Sequence, residues 1–394
     1  MIMKTESFTL PRTHAWLRAC TFAFILGGCG GGVDSGGTGG AATYANGPIT
    51  GSGSIIVNGV RFDDTSAIVS DDSGGSSRDA LKLGMVVEVR GSAVTDDPAT
   101  GDKNSTASSI SFNSELLGRI DTIDLPTSSL VVIGQPVDVK TTTFFDDSLT
   151  GGLSALATGN VVEVYALYDA TTGRYAATRI ERKSSVPAEF RLRGAISGLN
   201  TTTKVFNIGT EQVSYSAVTD VPTGLVNGAI LRVRVSSAGG GHVWTATRLR
   251  DGANKPDDGS HARVEGLISA FTSVTQFSMG TLQVTTNSGT LITGTPGLGV
   301  RVEIEGTVTA GVLVASSVSV ESDGGNPEQR FIGLLSGLNT AAKTFVVKGQ
   351  TISYAGTIDY RGGTEATLAT NPNVDVRAIL VNGTQLQATR IDFK

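Results

Sequence analysis

Leu83-Gly84-Met85-Val86-Val87-Glu88-Val89 sets a glycine four residues ahead of a glutamate on a run of alternating side chains. The same spacing returns four times. Gly159 precedes Glu163, Gly228 precedes Arg232, Gly299 precedes Glu303, and Asn371 stands in for glycine ahead of Asp375. Working outward, a second anchor keeps the same phase upstream: Gly53 before Ile55, Gly118 before Ile120, Gly194 before Ile196, Gly266 before Ile268 and Gly333 before Leu335. A third lies downstream, where an alanine is followed three residues later by an aliphatic: Ala107 and Ile110, Ala177 and Ile180, Ala246 and Leu249, Ala315 and Val318, Ala388 and Ile391. Three anchors in one register specify five units, at 48–114, 115–185, 190–253, 261–322 and 329–394. The third and fifth are nearest duplicates, since Ser197-Gly198-Leu199-Asn200-Thr201 matches Ser336-Gly337-Leu338-Asn339-Thr340.

Within each unit two more strand-like runs fall between the upstream anchors, as in Lys343 to Lys348 and Thr351 to Tyr354 around Gly349-Gln350. Five short strands per unit and 51 glycines in 394 residues, with no sustained three-to-four periodicity, place the chain in the all-β class. A tandem array of five small barrels follows, because closure removes the unpaired edges that invite intermolecular pairing. The oligonucleotide/oligosaccharide-binding (OB) barrel is the expected type, with another small barrel or a two-sheet sandwich as the alternative. A unit of this size is marginal alone, so contacts between neighbours are expected to matter.

The first 28 residues read as an export signal: Lys4, Arg12 and Arg18 precede a short apolar run from Ala19 to Leu26, too short to span a bilayer. Leu26-Gly27-Gly28-Cys29 resembles the lipobox of bacterial lipoproteins. That resemblance implies cleavage before Cys29, lipidation of its sulfur, and, with Gly30 following, retention at the outer membrane. Paired acyl chains suffice for stable attachment. Cys20 lies in the leader, so the mature chain keeps no cysteine for a disulfide. Residues 29–47, rich in glycine and small polar residues, read as a flexible tether.

Gly53-Ser54-Ile55-Ile56-Val57-Asn58-Gly59-Val60-Arg61-Phe62 and Leu83-Gly84-Met85-Val86-Val87-Glu88-Val89 resemble the repeated envelope-lipoprotein module known as domain of unknown function 5666. The likeness is best in the first unit and declines along the chain. It implies a repeated, anchored envelope protein and carries no activity.

The leader removed, 28 basic residues face 35 acidic ones, a balance of −7, which argues against nucleic acid as a partner. No catalytic residue, metal site or cofactor is assigned. His242 and His261 read as polar loop residues, no Gly-x-Ser-x-Gly elbow occurs, and the acidic pairs lack the spacing of a calcium loop. Asp96-Asp97-Pro98-Ala99-Thr100-Gly101 and Asp169-Ala170-Thr171-Thr172-Gly173 read instead as hairpin turns.

Charge sorts by unit. The third carries seven basic against three acidic residues and the first five against nine. Arg191 and Arg193, Arg232 and Arg234, Arg248 and Arg250 are three i, i+2 pairs, so each projects from one strand face. In an OB-type barrel all six share one outer face, expected near Trp244. Such a face demands anions. Three readings stay open: long arginine stems that merely cover a solvated sheet, an external anionic ligand, or the fourth unit, where Glu265, Glu303 and Glu305 occupy the positions of Arg193, Arg232 and Arg234. The expected function is a noncatalytic envelope lipoprotein, a binding or structural module for a polysaccharide, an anionic envelope component or another envelope protein, held to the membrane by its lipid. The contrasting expectation is a periplasmic hydrolase with a loop-borne Ser or Asp site.

Overall fold

The computed structural model describes residues 40–239, 241–321, 328–381 and 383–394. The leader, Cys29 and the first part of the tether fall outside them. Among the described residues the chain is all-β, with only three short 3-10 turns as helical segments.

The strands close into small five-stranded barrels. In the first, Thr43–Ser52 pairs antiparallel with Ile55–Val57, which pairs with Val60–Asp63. The third strand runs parallel to the fifth, Lys103–Phe112. The fifth lies antiparallel to the fourth, Val86–Gly91, which returns to the first. The same ring, in the order 1-2-3-5-4-1, recurs from Leu116–Asp124 to Arg174–Arg182, and from Glu189–Asn200 to Val243–Asp251. It recurs again from His261–Leu267 to Val312–Val320 and from Gln329–Asn339 to Gln385–Phe393.

Each sequence anchor has a mechanical cause. The first strand must serve two partners, so it bends, and the bend brings its backbone against the second hairpin. A Cβ at Gly194 would meet Ile208 Cγ2 at 2.8 Å, and one at Gly47 would meet Asn58 Oδ1 at 2.2 Å. The residue two further on is fully buried and donates its amide across the ring: Ile49 to Met85 O at 2.9 Å, Ile120 to Asn160 O at 2.8 Å, Ile196 to Ala229 O at 2.9 Å. Ile268 and Leu335 make the same bond, each at 3.0 Å. The anchor at Gly84 and its equivalents takes positive φ before the fourth strand, from +75° to +88° at the four glycines and +49° at Asn371. Asparagine is the residue other than glycine that visits this region most readily.

The third anchor is a β-bulge. In every barrel the ladder between fourth and fifth strands slips at the alanine, which pairs just past the shift: Gly91 with Ala107, Ala166 with Ala177, Val235 with Ala246, Gly306 with Ala315, Ala378 with Ala388. One extra residue returns the side chain three positions later to the same face. Ile110, Ile180, Leu249, Val318 and Ile391 therefore join the cores.

Two expectations are corrected. The first unit begins earlier than 48, and the tether does not reach 47: Thr43 to Gly47 form the opening of a strand, with Tyr44 and Ala45 fully buried. The true upstream anchor of that unit is Gly47 with Ile49, six residues before the Gly53 and Ile55 read from sequence. Small residues that suit a coil also suit a strand packed on both sides. Neighbouring units share cores, in keeping with the marginal size of a single unit. Thr43–Asn46 runs parallel to residues 261–264 of the fourth barrel, and Gly51 and Ser52 pair with Arg330 and Phe331 of the fifth. Leu116 and Leu117 pair with Leu192 and Arg191. Apolar clusters merge the first barrel with the fifth and the second with the third.

Candidate functional site

The six arginines form a grid. Arg191 lies opposite Arg234 and Arg193 opposite Arg232. The next strand sets Arg248 beside Arg234 and Arg250 beside Arg232. Outward alternation of three neighbouring strands makes this arrangement inevitable once the ring closes, and cross-strand like charges cost stability unless answered. The answer comes from the second barrel. Glu115 Oε2 accepts from Arg193 Nη1 at 2.7 Å and Oε1 lies 3.7 Å from Arg232 Nη2. Glu163 accepts from Arg191 at 2.9 Å and also holds Lys183. Glu189, on the third barrel's own first strand, takes Arg234 at 3.2 Å. The first barrel adds Ser73 Oγ to Arg234 at 3.1 Å and Asp72 O to Arg248 at 3.2 Å. Arg250 has no partner among the described residues. Burial draws the Arg232 guanidinium below its ordinary pKa, and Arg193 adds to that against the pull of Glu115.

The acidic counterpart expected from sequence is therefore corrected. Glu265, Glu303 and Glu305 do not meet the arginine grid. Glu265 accepts from Arg301 Nε at 2.6 Å, and Glu305 is held by Arg263 with His261 Nε2 at 3.3 Å. Glu303 lies 3.7 Å from Arg263. The fourth barrel carries its own arginines on this face, and the second barrel occupies the place against the third. Trp244 is not beside the grid either. It faces inward against Phe190 and donates its indole N–H to Glu211 Oε2 at 2.5 Å.

Sequence reasoning missed Glu115 and Glu211. Glu115 sits in the three-residue join between barrels, Asn113 to Glu115, where no periodicity marks it. Glu211, 2% exposed, also engages His242 Nδ1 at 2.5 Å, and that bond raises the imidazole pKa. It abuts the second barrel, whose Gly134 leaves no room for a side chain: a Cβ there would lie 2.1 Å from Glu211 Oε1. Two of the acidic runs are turns, as expected: Asp97 Oδ1 accepts from Ala99 N at 2.9 Å and Asp169 Oδ1 from Thr171 N at 2.8 Å.

Where the first four barrels meet, a cleft of about 740 Å³ opens. Tyr44 and Asn46 come from the first strand of the first barrel, and Tyr168 from the second. Arg193, still paired with Glu115, forms a wall, and Asn254, on the segment between third and fourth barrels, donates to Asn46 Oδ1 at 3.0 Å. Glu265 closes the far side. Tyr44 is fully buried, so Tyr168 is the aromatic face that the cleft presents, and beside planar hydrogen-bonding groups it suits a ligand that is apolar on one face and polar at its rim.

Compared with known families, the chain matches the domain of unknown function DUF5666 over residues 118–181, 265–319 and 333–392. These segments fall in the second, fourth and fifth barrels. The first barrel, where the resemblance is best by sequence, is outside them; its strand Ile68–Asp71, parallel to the fifth strand, has counterparts in Leu291–Thr293 and Asp359–Arg361, and only the short pairing of Gly74–Gly75 is additional. A search of curated proteins finds no match.

Proposed function

We propose that the chain is a noncatalytic lipoprotein of the bacterial outer membrane, exported by residues 1–28 and held through Cys29. In this reading five OB-type barrels form one binding body for an envelope polysaccharide. The ring order, with third and fifth strands parallel, is that of the OB class and supports the assignment of barrel type. The observation that carries the binding reading is the cleft of about 740 Å³ bordered by Tyr44, Tyr168, Asn46 and Asn254. Sugar rings offer the matching pattern of C–H faces and hydroxyl edges. The cleft favours a neutral ligand, since the one arginine on its wall, Arg193, is already paired with Glu115.

The test is co-sedimentation of the mature protein with polysaccharide purified from the native envelope. Binding is expected, and Asn254→Ala is expected to weaken it while leaving the circular dichroism spectrum unchanged. Retention that is absent, or identical in the variant, overturns the cleft as the site.

A further inference from the structure

A second pocket, about 630 Å³ counting the solvent at its mouth, is bordered by residues of the first, second, fourth and fifth barrels and shares only Glu265 with the cleft. One wall is the outer sheet face of the fourth barrel. There Glu265 lies directly opposite Glu303 in register, and Glu321 follows the fifth strand with its amide bonded to Arg301 O at 2.9 Å. Arg301 answers Glu265. Glu303 has one ion pair among the described residues, Arg263 at 3.7 Å, and Arg263 is already held by Glu305. Glu321 has none among the described residues. Four carboxylates thus face two guanidinium groups, an excess of two negative charges.

The facing walls supply an independent observation. Thr178 lines the pocket, is 8% exposed, and keeps its Oγ1 without a hydrogen-bond partner. A buried oxygen left unsatisfied costs free energy that a donor would recover. Pro48, Ile49 and Phe144 add an apolar surface. Excess carboxylate, an orphan acceptor at Thr178 and an apolar wall together ask for a cationic donor on a carbon body. A hard metal ion fits poorly, since it wants six or more converging oxygens and no three metal-ligating side chains converge among the described residues.

We propose that this pocket binds a small organic ammonium compound, its charged nitrogen between Glu303 and Glu321 and its carbon chain against Phe144 and Pro48. The site goes beyond the polysaccharide cleft and does not depend on it. Burial, with the Glu265 carboxylate opposite, pushes the Glu303 carboxyl up to about 7. Glu265 and Arg263 face it from the first strand, Arg301 and Glu305 from its own, and Glu321 from the end of the fifth. A bound ammonium requires Glu303 ionised, so affinity falls roughly tenfold between pH 8 and pH 6.

Isothermal titration of the full mature chain with 1,4-diaminobutane tests this. Saturable binding is expected at pH 8, about tenfold weaker at pH 6, with no heat from 1,4-butanediol or calcium chloride. Glu303→Gln is expected to abolish it, and Glu321→Gln, at the end of the strand, to weaken it without disturbing the fold. Asn254→Ala in the cleft is expected to leave it intact, which separates this site from the polysaccharide reading. No binding, equal binding of the diol, tighter binding of calcium, or indifference to both glutamate substitutions overturns the proposal.

Discussion

Arg193 of the third barrel and Glu115 of the second meet at 2.7 Å across the seam between them, with side chains only 12% and 5% exposed. Glu115 serves Arg232 as well, so one carboxylate from a short join answers two of the six guanidinium groups on the facing sheet. A pair this deep behaves differently from a surface ion pair. Its net worth is small, but removing one partner strands the other.

Glu115→Ala is therefore expected to destabilise the protein by about 3–5 kcal/mol, measured by urea denaturation. Lys255→Ala, which breaks a pair with Asp251 at the surface, is expected to change stability by less than about 1 kcal/mol. Equal effects would mean that the seam contributes no more than solvated charge.

Glu303 inverts the usual behaviour of a carboxylate. Its folded pKa, about 7, lies above the ordinary value of 4.5, so the folded state holds the proton more tightly than the unfolded one. Stability is highest below pH 4.5 as far as this group is concerned and falls as pH rises through 7. Glu303→Gln is expected to raise the melting temperature at pH 8, by up to ~3 kcal/mol in stability, and to leave it nearly unchanged at pH 4. A melting temperature that drops at pH 8 would contradict the assignment.

His242 works in the opposite direction. The Glu211 carboxylate raises its folded pKa above 6.5, so its contribution is complete below pH 6.5 and is lost as pH rises through the folded value. Titration of the imidazole by NMR is expected to report a midpoint above 6.5, returning toward the ordinary value in Glu211→Gln. A midpoint at or below 6.5 in the wild type would show that the contact does not hold in solution.

The left-handed position ahead of the fourth strand separates backbone from packing effects. At Gly228 an added Cβ meets nothing within 4 Å, yet φ is +88°. Gly228→Ala is expected to cost about 1–2 kcal/mol from conformation alone, and Asn371→Gly to stabilise by less than about 1 kcal/mol. Chemical denaturation of both variants decides it. A neutral Gly228→Ala would imply that the strand entry relaxes.

The all-β class and the repetition of small barrels were legible because each anchor enforces a local backbone event. Gly84 and its equivalents hold a positive φ, and Ala107 and its equivalents sit at a bulge, so composition and spacing carry the signal. The register of the first unit was not legible. Gly53-Ser54-Ile55 looks like the anchor, but Gly47 is the residue at the bend, and only the close approach of Asn58 distinguishes them. The arginine face could be read from i, i+2 spacing. Its partner could not, since Glu115 lies in a join without periodicity and Glu265, Glu303 and Glu305 matched the grid only in repeat position.

By itself the chain determined what happens within about 70 residues: alternation selects the buried face, glycine and asparagine admit the left-handed turns, and one extra residue at alanine shifts the ladder. Only the tertiary structure decided which barrels touch, setting the first against the fourth and fifth and the second against the third. Ring closure depends on hydrogen bonds between near segments, whereas the seams depend on shape and on a few buried charges whose partners lie up to 228 residues apart, as in Arg330 with Asp102. No local pattern encodes such a distance.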